Sequence, residues 1–239
     1  MKAIETPILV LTGAGISRES GVPTFRGADG LWRNFRPEEL ATPEAFSQQP
    51  ELVWEWYDWR RQAIAECRPN AAHDTIVAIE EWAPPGEFLL ATQNVDGLHE
   101  LAGSRNVRRL HGSIWHLRCV RCRFGELNRT SPLETIPPVC PKCAALLRPG
   151  VVWFGESLDQ AVLGDAFAAA EAARTVLVIG TSSLVYPAAA LPEIALRSGA
   201  HIIEVNPEET PLSPYVSERL EGPAAELLPA WWKERSRST

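Results

Sequence analysis

Several groups of residues have types and spacings that could do chemistry. Cys119-Val120-Arg121-Cys122 and Cys140-Pro141-Lys142-Cys143 are two Cys-x-x-Cys pairs separated by 17 residues, a spacing that signals zinc. Four thiolates fill a tetrahedral shell and leave no position for water or substrate, so the metal is expected to be structural. Arg118, Arg121, Arg123 and Lys142 stand close in sequence to offset the negative charge of such a centre. Near the N-terminus, Gly13-Ala14-Gly15 follows the apolar run Ile8-Leu9-Val10-Leu11. Two glycines let the backbone turn sharply and approach a ligand closely, and a helix start beyond them would favour a phosphate. A plain strand-to-helix turn would use the same residues. A dinucleotide fingerprint would put a third glycine where Arg18 stands, and would want an acidic residue about 20 residues further on, which is missing. The turn is therefore expected to serve something other than ordinary hydride transfer. Gln93, Asn94 and Asp96 form a polar cluster after an apolar run, and His111 ends another; an imidazole neutral near pH 7 can accept a proton. Tyr57 and Arg60, three apart on a helix, can present a hydroxyl and a guanidinium together.

The elements that must position these groups follow from periodicity and breakers. Phe88 to Thr92, Thr175 to Ile179 and His201 to Val205 read as strands, the last two as central parallel ones. Their C-terminal ends deliver Gln93-Asn94-Val95-Asp96, Gly180-Thr181-Ser182-Ser183 and Asn206-Pro207-Glu208, where open α/β sheets bind ligands. A short strand, Val107 to Leu110, delivers His111 to the same edge, and Val151-Val152-Trp153-Phe154 reads as a further strand. Helices are expected from Pro37, from Pro43 with Thr42 before it, over 51–66, from Asn70 to near Trp82, over 158–173, and from Gly222-Pro223-Ala224 onward. On the helix over 51–66, Leu52, Trp56 and Trp59 share one face and Val53, Tyr57 and Arg60 another. It reads either as a helix docked by aromatic residues or as the carrier of a Tyr57–Arg60 pair. The competing possibility is that Arg61 faces inward and Arg60 lies on the surface. Trp231 and Trp232 are expected to pack on the body, and the tail from Lys233 to fray. Cys67 lies outside the zinc spacing and reads as a buried thiol, and His73, His99, His116 and His201 as structural.

The 239 residues suffice for one sizeable core with a satellite module. Apolar residues make up 45% and charged ones 22%, ordinary for a globular chain. A net charge of −7 opposes general affinity for nucleic acid. No apolar run approaches the ~20 residues of a membrane span, so no membrane partner is expected. The N-terminus runs almost directly into the first strand. This implies no targeting peptide, a cytoplasmic location and reduced thiols, which disfavours disulfides at the four zinc-spaced cysteines.

These pieces together resemble the sirtuin family of NAD-dependent protein deacylases. The matches run in order across nearly the whole chain. They are Gly13-Ala14-Gly15-Ile16-Ser17, Gly21-Val22-Pro23-Thr24-Phe25-Arg26, Gln93-Asn94-Val95-Asp96, Leu110-His111-Gly112, both Cys-x-x-Cys pairs, Phe154-Gly155-Glu156, Gly180-Thr181-Ser182, Val185-Tyr186-Pro187 and Asn206-Pro207-Glu208. The stretch Trp56-Tyr57-Asp58-Trp59-Arg60-Arg61 further resembles the class III branch, in which a Tyr-x-x-Arg pair recognises acyl groups ending in a carboxylate.

The resemblance implies an α/β protein with a Rossmann-like parallel-sheet NAD-binding domain (1–32, 70–115 and 148–239). A small domain is inserted in it, made of a helical module (33–69) and a zinc-binding module (116–147). It implies that NAD is consumed, with acyl transfer from lysine to ADP-ribose yielding nicotinamide, O-acyl-ADP-ribose and free lysine. His111 is then the general base, with Asn94 and Asp96 holding the nicotinamide amide and ribose. NAD is expected to be bound by Gly13, Ala14, Gly15, Ser17, Phe25, Arg26, Gln93, Asn94, Val95, Asp96, Gly180, Thr181, Ser182, Asn206, Pro207, Glu208 and Ala224. Phe25 would shield the reactive ribose, and Ser182, Asn206 and Glu208 would bind the adenosine half. Val152, Trp153, Phe154 and Gly155 on one side, and Leu184, Val185 and Tyr186 on the other, are expected to sandwich the peptide as an added strand. Tyr57 and Arg60 would favour succinyl or malonyl over acetyl groups. The implied partners are acyl-lysine proteins or peptides, and the implied state is a monomer. Rival readings are an enzyme that is mainly a deacetylase, NAD-dependent ADP-ribosyl transfer to protein, and an NAD-sensing zinc module without turnover.

Overall fold

The apolar runs assemble into one parallel sheet. In the computed structural model, which describes residues 3–23 and 37–236, Ile8–Thr12 forms β1 and a 3-10 helix follows over Ala14–Ser20. Helices α1 (Pro37–Leu40), α2 (Pro43–Gln48), α3 (Pro50–Ala65) and α4 (Ala71–Trp82) come next. Then come β2 (Phe88–Thr92), α5 (Leu98–Ala102), β3 (Val107–Arg109), β4 (Gly112–Cys119), β5 (Gly125–Leu127) and β6 (Leu147–Val151). The chain closes with α6 (Gln160–Ala172), β7 (Thr175–Ile179), α7 (Ala190–Arg197), β8 (His201–Val205), β9 (Glu218–Leu220) and α8 (Ala224–Arg235). The larger sheet has the order β3-β2-β1-β7-β8-β9, and its neighbouring strands pair in parallel. Successive side chains of a strand point to opposite faces. Ile8 and Val10 therefore join a core with Ile76 and Ile79 of α4 and Leu228 and Trp231 of α8. Leu9 and Leu11 join another with Ala166 and Ala170 of α6 and Leu191 and Ala195 of α7.

A second sheet, β5-β4-β6, is antiparallel. It shares a third core with α3, in which Val53, Trp54 and Tyr57 meet Ile114, Leu117, Leu147 and Trp153. The Trp54 indole donates to the Leu147 carbonyl at 2.8 Å. Arg61 is fully buried and donates to the carbonyls of Ile114, Asn128 and Thr130. No helix among the described residues is long and apolar enough to cross a membrane.

Three readings need correction. The strand expected over 151–154 is instead Leu147–Val151, because β4 supplies its pairing partners from Cys119 back to Gly112. Beyond Val151 the chain leaves the sheet in a turn whose N–H at Trp153 is taken by the Glu156 carboxylate at 2.8 Å. The final helix continues through Arg235, whose guanidinium donates to both Glu218 oxygens at 2.8 Å and lies over Trp231. On α3, Val53, Tyr57 and Arg60 are buried as a set, but Trp59 is 52% exposed, so Leu52, Trp56 and Trp59 do not form a docking stripe. Helix α7 is absent from the sequence reading, since Pro192 there resembles a breaker; in a first turn it costs no intrahelical bond.

Candidate active site

β1 and β7 lie side by side, but the strands that follow them spread in opposite directions, so the sheet has a switch point at their C-terminal ends. The loops leaving the two strands touch backbone to backbone. The Gly15 N–H donates to the Gly180 carbonyl at 2.8 Å, and a Cβ on Gly15 would stand 2.6 Å from the Gly180 Cα. Gly180 has a φ of +59°, and a Cβ there would stand 2.4 Å from the Ile16 nitrogen. The glycines thus serve first to seat one loop against the other, and only secondarily to admit a ligand.

A cleft of about 1240 Å³ opens above this junction, larger than the roughly 300–1,000 Å³ of an ordinary small-molecule site. Of the residues expected at the dinucleotide, Gly13, Ala14, Gly15, Gln93, Asn94, Val95, Gly180, Thr181, Ser182, Asn206, Pro207, Glu208 and Ala224 line it. The Gln93 side-chain amide donates to the Thr181 hydroxyl at 2.9 Å, and the Asn206 amide to the Thr181 carbonyl at 2.8 Å. Ser17 and Asp96 are not among the lining residues but stand behind Asn94. The Asn94 amide donates to the Gly13 carbonyl at 3.0 Å and to the Ser17 hydroxyl at 3.3 Å, and Ser17 donates to Asp96 Oδ2 at 2.9 Å. Burial pushes the Asp96 carboxyl up, against the bonds from the Leu98 N–H and the Ser17 hydroxyl that lower it. Phe25 and Arg26 lie outside the described residues.

His111 lines the same cleft. Its Nδ1 is 3.1 Å from the Gln93 carbonyl oxygen, which only accepts, so Nδ1 carries the proton and Nε2 is the basic atom of the neutral ring. Burial pulls the imidazole below its ordinary value, and the bond to Gln93 opposes this.

Tyr57 and Arg60 from α3 and Trp153 from the turn after β6 also line the cleft. The Arg60 guanidinium lies 4.7 Å from the Trp56 ring centroid and 5.8 Å from that of Tyr57. Burial lowers the Arg60 pKa, and the nearby Tyr57 and Asp96 raise it. Of the two arginines weighed on α3, Arg60 lines the cleft and Arg61 braces the smaller sheet.

Val152, Phe154, Gly155, Val185 and Tyr186 line the cleft as expected, but neither segment is a regular strand. The N–H groups of Val152, Trp153 and Phe154 already bond to the His111 carbonyl, Glu156 and the Ala41 carbonyl. A peptide added here must therefore pair with other backbone groups. Lining residues that sequence reasoning gave no role in the cleft include Arg18, Ala41 and Trp56. Arg18 carried a signal as the residue standing in place of a fingerprint glycine, and Trp56 as part of the stretch that resembles the class III branch.

The sulfurs of Cys119, Cys122, Cys140 and Cys143 all lie within 4.8 Å of one another, with Cys119–Cys143 at 3.4 Å and Cys122–Cys140 at 3.7 Å. A tetrahedral zinc with Zn–S bonds of about 2.3 Å has sulfur edges near 3.8 Å, so the cluster fits that ion. Backbone N–H groups of Arg121 and Cys122 donate to Cys119 Sγ. Arg118, expected to offset the centre's charge, instead pairs with Glu156 at 2.9 Å.

The Sir2 family model matches residues 13–187. An Aquifex aeolicus (strain VF5) protein named NAD-dependent protein deacylase is 59% identical over 206 residues, covering 86% of this chain and 85% of its own. Among solved structures, the complex of a Sir2 homologue mutant with ADP-ribose superposes with a TM-score of 0.93 at 47% identity, covering 98% of this chain and 94% of that one. A Sir2–p53 peptide–NAD+ complex gives a TM-score of 0.83 at 33% identity, covering 98% and 95%.

Proposed function

The chain belongs to the Sir2 family, and from that premise we propose that it is an NAD-dependent protein-lysine deacylase that favours acyl groups ending in a carboxylate, with acetyl as a weaker substrate. One observation carries the reading: a single cleft joins the loops at the sheet's switch point, His111, and the Tyr57–Arg60 pair. NAD+ would serve as co-substrate: its ribose carbon would exchange the bond to nicotinamide for one to the acyl-amide oxygen, and a ribose hydroxyl would then carry the acyl group as an ester while water completes the release of free lysine. His111 receives a ribose-hydroxyl proton at Nε2, its tautomer set by Gln93. Asn94, held by the Gly13 carbonyl and the Ser17 hydroxyl, presents its carboxamide to the nicotinamide half, and Asp96 fixes Ser17 from behind. Asn206 and Glu208 take the adenosine half.

Arg60 reads the acyl terminus. A guanidinium matches a carboxylate through parallel hydrogen bonds, which an acetyl group, ending in a methyl, does not make. The four cysteines hold one structural zinc. A monomeric, cytoplasmic enzyme acting on acyl-lysine proteins completes the reading, and the net charge of −7 disfavours nucleic acid as a partner. The test is mass analysis of a reaction with NAD+ and a succinyl-lysine peptide. Free lysine peptide, nicotinamide and O-succinyl-ADP-ribose in equal amounts are expected. ADP-ribose attached to protein, without the free ester, would replace the deacylase reading with ADP-ribosyl transfer.

A further inference from the structure

The sequence marks Trp153 only for its backbone, as part of a peptide-binding segment, but the structure gives its indole a different relation to the site. Trp153 Nε1 lies 2.9 Å from the Tyr57 hydroxyl oxygen, and both side chains are buried. An indole nitrogen only donates. The Tyr57 oxygen is therefore the acceptor in this bond, and its own proton must be directed elsewhere. Tyr57 lines the cleft, and among the described residues nothing accepts that proton. The phenol stays protonated, because burial raises its pKa more than the nearby Arg60 and the Trp153 bond lower it.

Trp153 is itself held on three sides. Its backbone N–H donates to Glu156 at 2.8 Å, and the Arg148 guanidinium lies 3.2 Å from its ring centroid. Arg148 donates to both Glu156 oxygens, at 2.7 and 2.8 Å. Phe46 packs at 5.3 Å from the ring. The indole N–H is thus fixed in place before any substrate arrives.

Resting on the acidic-acyl reading above, we infer that Trp153 is a positioning residue for acyl specificity: its indole N–H occupies the Tyr57 oxygen as a donor and so turns the Tyr57 O–H into a dedicated donor to an acceptor oxygen at the acyl terminus. An ionised carboxylate is acceptor-only and satisfies that donor. A methyl terminus does not. Without the indole N–H, the Tyr57 hydroxyl can turn its proton toward other acceptors, and its preference for a carboxylate weakens.

The test is a double-mutant cycle on the full chain with NAD+ and matched succinyl- and acetyl-lysine peptides, reading the succinyl-to-acetyl ratio of kcat/KM. Trp153→Phe keeps an aromatic ring and removes the N–H, and Tyr57→Phe removes the hydroxyl. The ratio is expected to fall about tenfold in each variant, mainly through KM for the succinyl peptide, and no further in the double variant. Independent, multiplying losses, or a ratio that W153F leaves in place while Y57F lowers it, would overturn the inference alone. A wild-type ratio at or below one would overturn the acidic-acyl reading together with it.

A second measurement does not depend on W153F folding. In wild-type protein labelled at the indole nitrogens of its nine tryptophans, Y57F identifies the Trp153 resonance by moving it. Donation by Tyr57 to a carboxylate makes its oxygen a better acceptor. The same resonance should then shift downfield with the succinyl peptide and hold with the acetyl peptide. Indifference to the succinyl peptide would contradict the inference.

Discussion

In the proposed reaction turnover depends on His111, and the fold places its one proton. With Nδ1 given to the Gln93 carbonyl, Nε2 is left to act as base. His111→Ala should lower kcat by about 10² to 10⁴, the range of a lost general base, while NAD+ binding by calorimetry persists. The pH dependence has a definite sign. Burial favours the neutral ring, so the active form survives to lower pH than an ordinary imidazole allows. The acidic limb of kcat/KM should therefore lie below about pH 6.5, the unperturbed histidine value. A limb at or above 6.5 would show a different environment for the base. At this scale the sequence was informative where residue type alone carries the chemistry: one histidine at a strand end, four cysteines in pairs. For His99 and His73 the structural reading fits what is seen. His99 is buried with Nε2 2.9 Å from Thr12 Oγ1, and burial holds its pKa near 3; His73 caps α4 with its Nδ1, and its pKa is held near 4. What residue types could not reveal was partnership across long separations. Nothing local links Trp153 to Tyr57, 96 positions away, or predicts that Arg118 chooses Glu156 over the cysteine cluster.

Between residue and molecule, β4 and β6 connect the metal cluster to the cleft. β4 runs from Gly112, next to His111, to Cys119, and β6 leads from Leu147 to the turn that carries Trp153. Helix α3 is tied to the same module from two sides, since Asp58 accepts from the Leu133 N–H at 3.0 Å and Arg61 donates to Asn128 and Thr130. Zinc loss should therefore reach both the base and the acyl corner although no cysteine lines the cleft. Untreated protein is expected to contain about one zinc per chain, and removal by a chelator should abolish turnover in step with zinc release. Full activity in metal-free protein would contradict this coupling. Element boundaries were less legible than element types. The strand expected over 151–154 lies earlier because pairing to β4 sets its bounds, and the backbone beyond Val151 is committed to Glu156 and Ala41. Local hydrophobicity carries no record of such partners.

At the scale of the whole molecule, loops of the six-stranded sheet, helix α3 and the three-stranded sheet's exit turn line one cleft. A bond from the Val152 N–H to the His111 carbonyl at 2.9 Å ties that exit turn to the backbone of His111 itself. In the proposed reaction this shared cleft brings a dinucleotide and an acylated lysine together. The architecture was legible from the order of apolar runs and polar strand ends, because parallel sheets place ligands at those ends. The corner proposed to select the acyl group was only half legible: the three-residue spacing pointed to Tyr57 and Arg60, but their setting among Trp56, Trp153 and the Arg148–Glu156 pair comes from packing alone. The most direct measurement is nicotinamide release from NAD+ with matched succinyl- and acetyl-lysine peptides. The account predicts release with both peptides, and a kcat/KM for succinyl at least about tenfold above acetyl, the margin that a buried carboxylate–guanidinium contact supplies. Release favouring acetyl would contradict the role given to Tyr57 and Arg60, and release from neither would contradict the deacylase itself.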